Sequence, residues 1–242
     1  MPEKPIINLP AHQLPIVALT KEEIQNASKS RIDLIVKEFT DGFEFLKNYP
    51  RSVTFFGSAR TPEDSLYYEK ARSLSRKIVQ EFGYPIFTGG GPGIMEAANR
   101  GAFEAGGQSL GLTIELPDGQ AANPYLTRNL DFYYFFSRKV CMTFSAEAFV
   151  FFPGGAGTLN EFFEILTLLQ TNKIEKTPMI LVGVEFWSKL DAFLKQEILS
   201  YGLIDSGDVQ LYTITDDENQ IIEIIRKTPT RGYENFEHGP NI

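Results

Sequence analysis

The sequence predicts an α/β fold, namely a Rossmann-like, doubly wound parallel sheet of about seven strands with helices on both faces. From residue 52 onward, short apolar runs alternate with segments of helical periodicity. Two of these runs lead into glycine-rich turns, as expected where a parallel strand meets the next helix. A length of 242 residues suits one such domain with both sheet faces covered.

The first 50 residues are predicted to form an N-terminal arm and a helical extension. Residues 1–18 are rich in proline, which favours an extended chain. Residues 20–47 carry apolar side chains mostly three or four positions apart, which predicts a helix. Residues 51–227 are predicted to be a Rossmann-like nucleotide-binding catalytic domain, and residues 228–242 a polar C-terminal tail.

Seven strands and six further helices follow from the pattern within that domain. The predicted strands are 52–56, 85–88, 109–116, 132–136, 148–152, 179–184 and 209–214. The predicted helices are 64–82, 93–105, 138–146, 158–171, 187–200 and 217–227. The strand at 132–136 has the weakest pattern, because the same residues suit the start of a helix. Near-continuous apolar strands indicate a sheet buried on both faces, in which ligands collect at the carboxyl ends of the strands.

The charge and the cysteine content indicate which partners and which cellular compartment to expect. The formal net charge is −8, which argues against binding to a nucleic acid polymer or a membrane surface. No apolar run approaches the roughly 20 residues needed to span a bilayer. The single cysteine, Cys141, excludes an intramolecular disulfide and agrees with a reducing compartment. A cytoplasmic location is therefore expected.

Histidine usage restricts the chemistry. The only two histidines, His12 and His238, lie near the termini in sequence that contains proline or glycine. Histidine triads and histidine-ligated metals are therefore not expected, and neither a metal nor a cofactor is predicted. Catalysis would have to use carboxylates, arginine, lysine, hydroxyls and backbone amides.

A first glycine-rich turn spans residues 88–96, after a predicted strand and before a predicted helix. Glycines such as Gly90 and Gly91 let a ligand approach the backbone, and the next helix offers unpaired N–H groups to an anion. The dinucleotide-binding fingerprint fails, because Ile94 stands where its third glycine is required. The alternative is a tight turn that only packs against its neighbour.

A second glycine-rich turn spans residues 153–161 and follows a strongly apolar strand. The backbone amides of residues 155–158 and the Thr158 hydroxyl suit a monophosphate. Glu161 lies one helical turn further on the same face, where the ribose would lie. The alternative is a capping box, in which Thr158 and Glu161 only satisfy backbone donors. Together the two turns predict a phosphate-bearing small molecule and leave its reaction open.

The second turn also resembles a known signature. Residues 153–161 are similar to the Pro-Gly-Gly-x-Gly-Thr-x-x-Glu motif of the LOG (Lonely Guy) family, cytokinin-activating phosphoribohydrolases once described as possible lysine decarboxylases. The arginine-lysine pair that this family carries upstream is present as Arg138 and Lys139. Residues 89–101 resemble the first glycine turn of a larger, AMP nucleosidase-like branch. The resemblance extends from about residue 52 to residue 186.

The resemblance implies hydrolysis of a nucleoside 5′-monophosphate, either AMP or a cytokinin riboside monophosphate, to free base and ribose 5-phosphate. Arg138 and Glu161 match the family's catalytic pair. Its nucleotide-binding positions are matched by Lys139, Gly155, Ala156, Gly157, Thr158 and Thr167. Further substrate-binding candidates, because they lie in turns at strand ends, are Ser58, Gly90, Gly91 and Gly154. The family forms dimers, so a homodimer or a larger homo-oligomer is expected.

Two departures from the family pattern leave the identity of the base open: residues 135–137 and Asn160. In the hypothetical reaction, Glu161 stabilises the oxocarbenium-like sugar and activates water, while Arg138 offsets the negative charge that develops. The rival interpretation is a non-catalytic nucleotide or cofactor carrier on the same fold. Such a carrier needs the glycine turns but does not need Glu161 to be ionised.

Overall fold

The computed structural model describes residues 20–115 and 121–230. Of these, residues 20–37 belong to one compact unit and the remainder to a second. Helix α1 (Lys21–Leu46) begins in the first unit, where Thr20 and Glu23 form a reciprocal capping box, and it ends in the second. The predicted arm (1–18) and residues 231–242 of the predicted tail lie outside the described residues. The predicted boundary at residue 50 stays a prediction.

The second unit contains a seven-stranded sheet in which every pairing is parallel. Its strands are β1 (Ser52–Phe56), β2 (Ile86–Thr88), β3 (Ser109–Ile114), β4 (Arg128–Phe132), β5 (Ala146–Phe151), β6 (Met179–Leu181) and β7 (Tyr212–Ile214). Their order across the sheet is β4-β3-β2-β1-β5-β6-β7. The strand pattern in the sequence predicted this parallel sheet, and the prediction is confirmed.

Helices cover both faces of the sheet. They are α2 (Leu66–Phe82), α3 (Ile94–Glu104), α4 (Phe135–Phe144), α5 (Ala156–Gln170), α6 (Val184–Phe193) and α7 (Glu218–Lys227). Side chains alternate along the strands, so Val53 and Phe55 of β1 pack in one core with α2, α3 and α7. Phe56 faces the other core, with α4, α5, α6 and the end of α1. The predicted doubly wound architecture therefore holds.

The prediction of the fourth strand at 132–136 is wrong. The strand is Arg128–Phe132, and residue 135 already begins α4. β4 lies at the edge of the sheet, and Arg128, Asn129 and Asp131 are exposed. An edge strand with polar, exposed side chains lacks the apolar run by which the buried strands were recognised. Because α4 starts three residues earlier than predicted, Arg138 lies in its first turn.

The sheet has one point at which the direction of winding reverses. From β1 the chain proceeds outward to β4, then returns to the other side of β1 with β5. The loops that follow β1 and β5 therefore leave the sheet toward opposite faces and open a crevice between them. Both the second glycine-rich turn and Ser58 lie at this crevice.

Within residues 20–115 and 121–230, no helix combines the length and the apolar content needed to cross a bilayer.

Candidate active site

A cavity of about 490 Å³ opens at the carboxyl ends of β1 and β5. Loops after β1, β2 and β5 and the first turn of α4 form its walls. It brings together both predicted catalytic residues and five predicted binding residues: Arg138, Glu161, Ser58, Gly155, Ala156, Gly157 and Thr158. Residues separated by about a hundred positions in sequence thus meet at one edge of the sheet.

The Glu161 side chain faces this cavity and is only 16% exposed. No hydrogen bond from the described part of the chain reaches its carboxylate. Burial raises the pKa of Glu161 to about 7, against the opposing attraction of Arg138 and Lys139 and with a smaller contribution from Glu164. A buried carboxyl with a raised pKa, open to a cavity, is typical of a group that exchanges protons with a ligand.

The alternative interpretation of Thr158 and Glu161 as a capping box is wrong. Helix α5 begins at Ala156, its N-cap residue is Gly155, and no side chain caps it. Thr158 is therefore the third residue of the helix, inside the first turn, and Glu161 does not reach back to the N-cap amide. Both side chains line the cavity instead.

Arg138 is buried and held in one orientation. Its Nε donates to Leu112 O at 2.6 Å, and its Nη1 lies 4.0 Å from Glu161 Oε1. The guanidinium lies over Gly89, where a Cβ would come within 2.2 Å of Nη2. Burial lowers the pKa of Arg138 and the charge of Glu161 raises it. Arginine still stays charged at neutral pH, so the cavity holds a fixed cation beside the carboxyl.

The loop after β5 contains glycines of two kinds. At Gly154 a Cβ would lie 2.2 Å from Thr158 Oγ1, so this glycine is required for packing. At Gly155 and Gly157 a Cβ would meet nothing within 4 Å, and neither has a positive φ. The fold does not require glycine at these two positions, yet both border the cavity. The first three amides of α5 have no acceptor within the helix, so they are available to an anion.

Gly90 and Gly91 of the first glycine-rich turn do not line the cavity. The carbonyls of both accept hydrogen bonds from Asn123 Nδ2 at 3.1 Å. Gly93, with φ of 68°, is packed so closely that its Cβ would lie 2.3 Å from Ser58 O. The alternative interpretation of this segment, a turn packed against its neighbour, therefore describes most of it. The structure does not bring Gly90 or Gly91 to the other site residues.

Lys139 and Thr167 also lie away from the cavity. Lys139 Nζ donates to Asn160 Oδ1 at 3.0 Å and forms an ion pair with Glu164 on α5. The Thr167 hydroxyl donates to Phe163 O at 2.7 Å and borders a separate, mostly apolar cavity of about 230 Å³. Lys139 still acts on the site, because its charge lowers the pKa of Glu161.

Among the cavity residues that were not predicted from sequence, three lie at the carboxyl ends of strands. Gly57 directly follows β1, Gly89 directly follows β2, and Ile114 is the last residue of β3. The signal that would have found them is topological. Neighbouring parallel strands end at the same edge of the sheet, so the residue at each carboxyl end borders the same crevice.

The fold and the cavity define an α/β protein with a carboxylate, an arginine and an uncapped helix N-terminus at the switch point of a doubly wound sheet. The chain belongs to the family described as "Possible lysine decarboxylase", whose model matches residues 95–225, more than half of the chain. This is the LOG family, so the resemblance predicted from the glycine motif is confirmed.

Relatives in this family carry phosphoribohydrolase names. The chain is 29% identical over 150 residues to the cytokinin riboside 5′-monophosphate phosphoribohydrolase of Rhodococcoides fascians, which covers 60% of this chain and 75% of that protein. It is 22% identical over 186 residues to the cytokinin riboside 5′-monophosphate phosphoribohydrolase LOG2 of Arabidopsis thaliana, which covers 76% of this chain and 86% of that protein.

Some solved structures that share the fold of this chain belong to proteins with a different description. The molybdenum cofactor carrier protein of Chlamydomonas reinhardtii superimposes with a TM-score of 0.55 at 22% identity, and the match covers 74% of this chain and 97% of that one. A likeness at this identity establishes a common architecture. The activity must be argued from the residues at the cavity.

Proposed function

We propose that this protein hydrolyses the N-glycosidic bond of a nucleoside 5′-monophosphate, AMP or a cytokinin riboside monophosphate, to free base and ribose 5-phosphate. The observation that carries the proposal is the Glu161 carboxyl, which is buried and faces the cavity with no hydrogen-bond partner in the described chain. A carboxyl in a purely structural role would be hydrogen-bonded or exposed. The phosphoribohydrolase names of the relatives support the same reaction.

In the proposed complex the monophosphate binds to the N-terminus of α5. The amides of residues 156–158 and the Thr158 hydroxyl are the donors, and the helix dipole adds attraction for the anion. Gly155 and Gly157 leave room for the phosphate to approach the backbone. Binding energy gained at the phosphate then fixes the ribose near Glu161, one helical turn away.

In the proposed reaction the bond between the base and C1′ of the ribose breaks, and a water oxygen bonds to C1′. The sugar becomes cationic in the transition state, and the departing base becomes negative. The Glu161 carboxylate stabilises the sugar and accepts a proton from water. Arg138, held by Leu112 O, offsets the charge on the leaving group or the phosphate.

The decisive experiment compares wild type with Glu161→Gln by chromatographic detection of adenine released from AMP. Loss of the carboxylate is expected to lower turnover by about 10²–10⁴-fold, while calorimetry still detects AMP binding. The matched control is Glu164→Gln, three residues along the same helix, whose carboxylate pairs with Lys139 outside the cavity. This variant is expected to keep its turnover within about threefold. Near-wild-type turnover in Glu161→Gln would contradict the assigned role.

A panel of nucleoside 5′-monophosphates with different bases, including N6-substituted adenines, would identify the substrate. Wild-type protein that binds these nucleotides tightly but releases no base would instead indicate a carrier.

We further propose that two copies of the chain associate through the surface around α4. Large apolar side chains are exposed there, including Tyr133, Phe135, Phe136 and Val140. Exposed apolar side chains that cluster on one element often mark a protein–protein interaction site, whereas isolated ones do not. Phe135 also borders the cavity, so a second copy would lie beside the site.

A further inference from the structure

Helix α4, which carries Arg138, has no cap of its own. Its N-cap residue is Tyr134, whose side chain makes no capping hydrogen bond, and its first turn contains no acidic residue. Its first amides would therefore be left without acceptors. Within the described chain, an acceptor from a different helix binds the two backbone amides that directly precede the first helical residue.

That acceptor is Glu38 of α1, a buried carboxylate. Glu38 Oε1 accepts hydrogen bonds from the backbone amides of Tyr133 and Tyr134, the latter at 3.3 Å. Glu38 Oε2 accepts a hydrogen bond from the Ser137 hydroxyl. Three donors at the start of α4 thus converge on one side chain that is 99 positions away in sequence from Ser137. A negative charge at this place also complements the helix dipole.

The turn that Glu38 holds is the turn from which Arg138 projects. Arg138 N donates to Tyr134 O at 3.3 Å and closes the first turn of the helix, and Ser137 is its neighbour in the chain. The guanidinium has little freedom of its own, because Leu112 O fixes Nε and Gly89 lies beneath Nη2. A rotation of this first turn moves the Arg138 backbone, and because the packed side chain has little room to adjust, the 4.0 Å separation from Glu161 would change with it.

We propose that Glu38 is a positioning residue for Arg138, because its carboxylate fixes the first turn of α4 and so sets the distance between the guanidinium and the Glu161 carboxyl. This deepens the proposed function and, for its kinetic part, rests on it. It also gives the C-terminal half of α1 a role in the site, although α1 contributes no residue to the cavity wall.

The test uses Glu38→Ala, which removes the acceptor, and Glu38→Gln, which keeps an acceptor oxygen. The first readout is the titration of the Glu161 carboxyl carbon by ¹³C NMR, assigned by comparison with Glu161→Gln. The charged groups that act on Glu161 are Arg138 and Lys139 of α4 and Glu164 of α5. If Arg138 moves away, the midpoint should rise by about one pH unit in Glu38→Ala and by less in Glu38→Gln.

The second readout is the kinetics with AMP. Glu38→Ala is expected to lower kcat about tenfold with KM within about twofold, and Glu38→Gln to recover most of the loss. Phe43→Ala is the control for loosened packing, because Phe43 packs edge-on against Phe144 at the other end of α4. This variant is expected to lower the melting temperature without moving the Glu161 midpoint.

An unchanged midpoint in Glu38→Ala, or an equal change in Phe43→Ala, would overturn the proposal. If Glu38→Ala does not fold, Ser137→Ala removes one of the three donors, and the midpoint must rise in the same direction by a smaller amount. The NMR readout needs no turnover. A wild-type protein that releases no base from any nucleotide of the panel would therefore refute the proposed hydrolysis and leave the positioning role to be decided by the midpoint.

Discussion

At the scale of single residues, the cavity is built around a carboxyl group that is costly to ionise. The pKa of Glu161 is raised to about 7 because burial removes water from the charged form. The attraction of Arg138, whose Nη1 lies 4.0 Å from Glu161 Oε1, offsets only part of this desolvation penalty. Functional groups of this kind are commonly retained at a cost in stability. The cost depends on pH, and it can be measured without any substrate.

Glu161→Gln is expected to be more stable than wild type in alkaline solution. The folded-state pKa of about 7 lies above the ordinary value of 4.5. The stability associated with the neutral carboxyl is therefore fully present below pH 4.5 and is lost as pH rises through about 7. A shift of this size corresponds to at most about 3 kcal/mol at pH 8. In thermal melts, the melting temperature of the variant should lie above that of wild type at pH 8 and close to it at pH 5.

The comparison has a matched control in Glu164→Gln, where the carboxylate forms an ion pair with Lys139. Its melting temperature relative to wild type should not rise with pH. If the difference between Glu161→Gln and wild type were the same at every pH, the carboxyl would not be desolvated as described.

Gly157→Ala is expected to separate ligand binding from folding. A Cβ at this position meets no protein atom within 4 Å, and alanine is the better helix former, so the melting temperature should hold or rise slightly. The added methyl group takes up room at the cavity, so AMP affinity measured by calorimetry should fall at least about tenfold. Gly207→Ala is the control, since its Cβ is also unobstructed, its φ is −70° and it does not line the cavity.

Retention of full AMP affinity by Gly157→Ala would show that the phosphate does not approach this part of the loop.

At the scale of secondary-structure elements, Gly42 lets α1 pack against α4 at Cys141. A Cβ on Gly42 would lie 2.5 Å from Cys141 Sγ and 3.4 Å from a ring atom of Phe132. Burial, with a smaller effect from Glu38, raises the pKa of the Cys141 thiol to about 12, so this sulfur serves packing and is not a nucleophile. The close approach allows Glu38, one turn earlier on α1, to reach the start of α4.

Gly42→Ala is therefore expected to destabilise the protein, although the same change in an exposed helix would stabilise it by up to about 1 kcal/mol. The clash with buried neighbours is expected to cost about 1–3 kcal/mol. Urea denaturation should show that the penalty largely disappears when Gly42→Ala is made in a Cys141→Ala background. Strictly additive effects of the two changes would rule out the contact as the cause.

At the scale of the whole molecule, the apolar surface around α4 predicts self-association. Light scattering is expected to give the mass of a dimer for wild type and of a monomer for Val140→Glu, which places a charge in that surface. Leu203→Glu is the control, because Leu203 is also exposed but does not belong to this surface. A wild-type protein that is monomeric at high concentration would remove the dimer from the proposal.

The sequence predicted the architecture well because buried parallel strands are short apolar runs. β1 was predicted with its observed limits, whereas β4 was misplaced because an edge strand exposes polar residues. Residues 155–158 of the second glycine-rich turn, predicted to bind a phosphate, line the cavity, and that binding role stays a prediction. Gly90 and Gly91 of the first turn do not line it, since glycines required for tight packing and glycines that leave room for a ligand give the same sequence pattern. Gly90 is of the packing kind, because its φ is 71° and a Cβ there would lie 2.6 Å from Thr113 Cγ2.

The role of Glu38 could not have been predicted from local sequence. Capping signals are read within three or four positions of a helix start, and this cap comes from another helix. The ion pair of Lys139 with Glu164 was not predicted for the same reason, because it depends on how α4 packs against α5. Tertiary contacts of this kind decide which polar residues of a motif face the cavity.

The place of β1 in the middle of the sheet has a consequence for biosynthesis. β1 and β2 lie close together in the chain, but the other neighbour of β1 is β5, and the Ser52 hydroxyl donates to Ser145 O, 93 positions later. Until then a partly synthesised chain displays an unpaired strand edge made of apolar residues. Such edges recruit strands from other molecules, and distant parallel pairings form slowly. Nascent chains of this protein are thus expected to depend on chaperones until translation has passed the fifth strand.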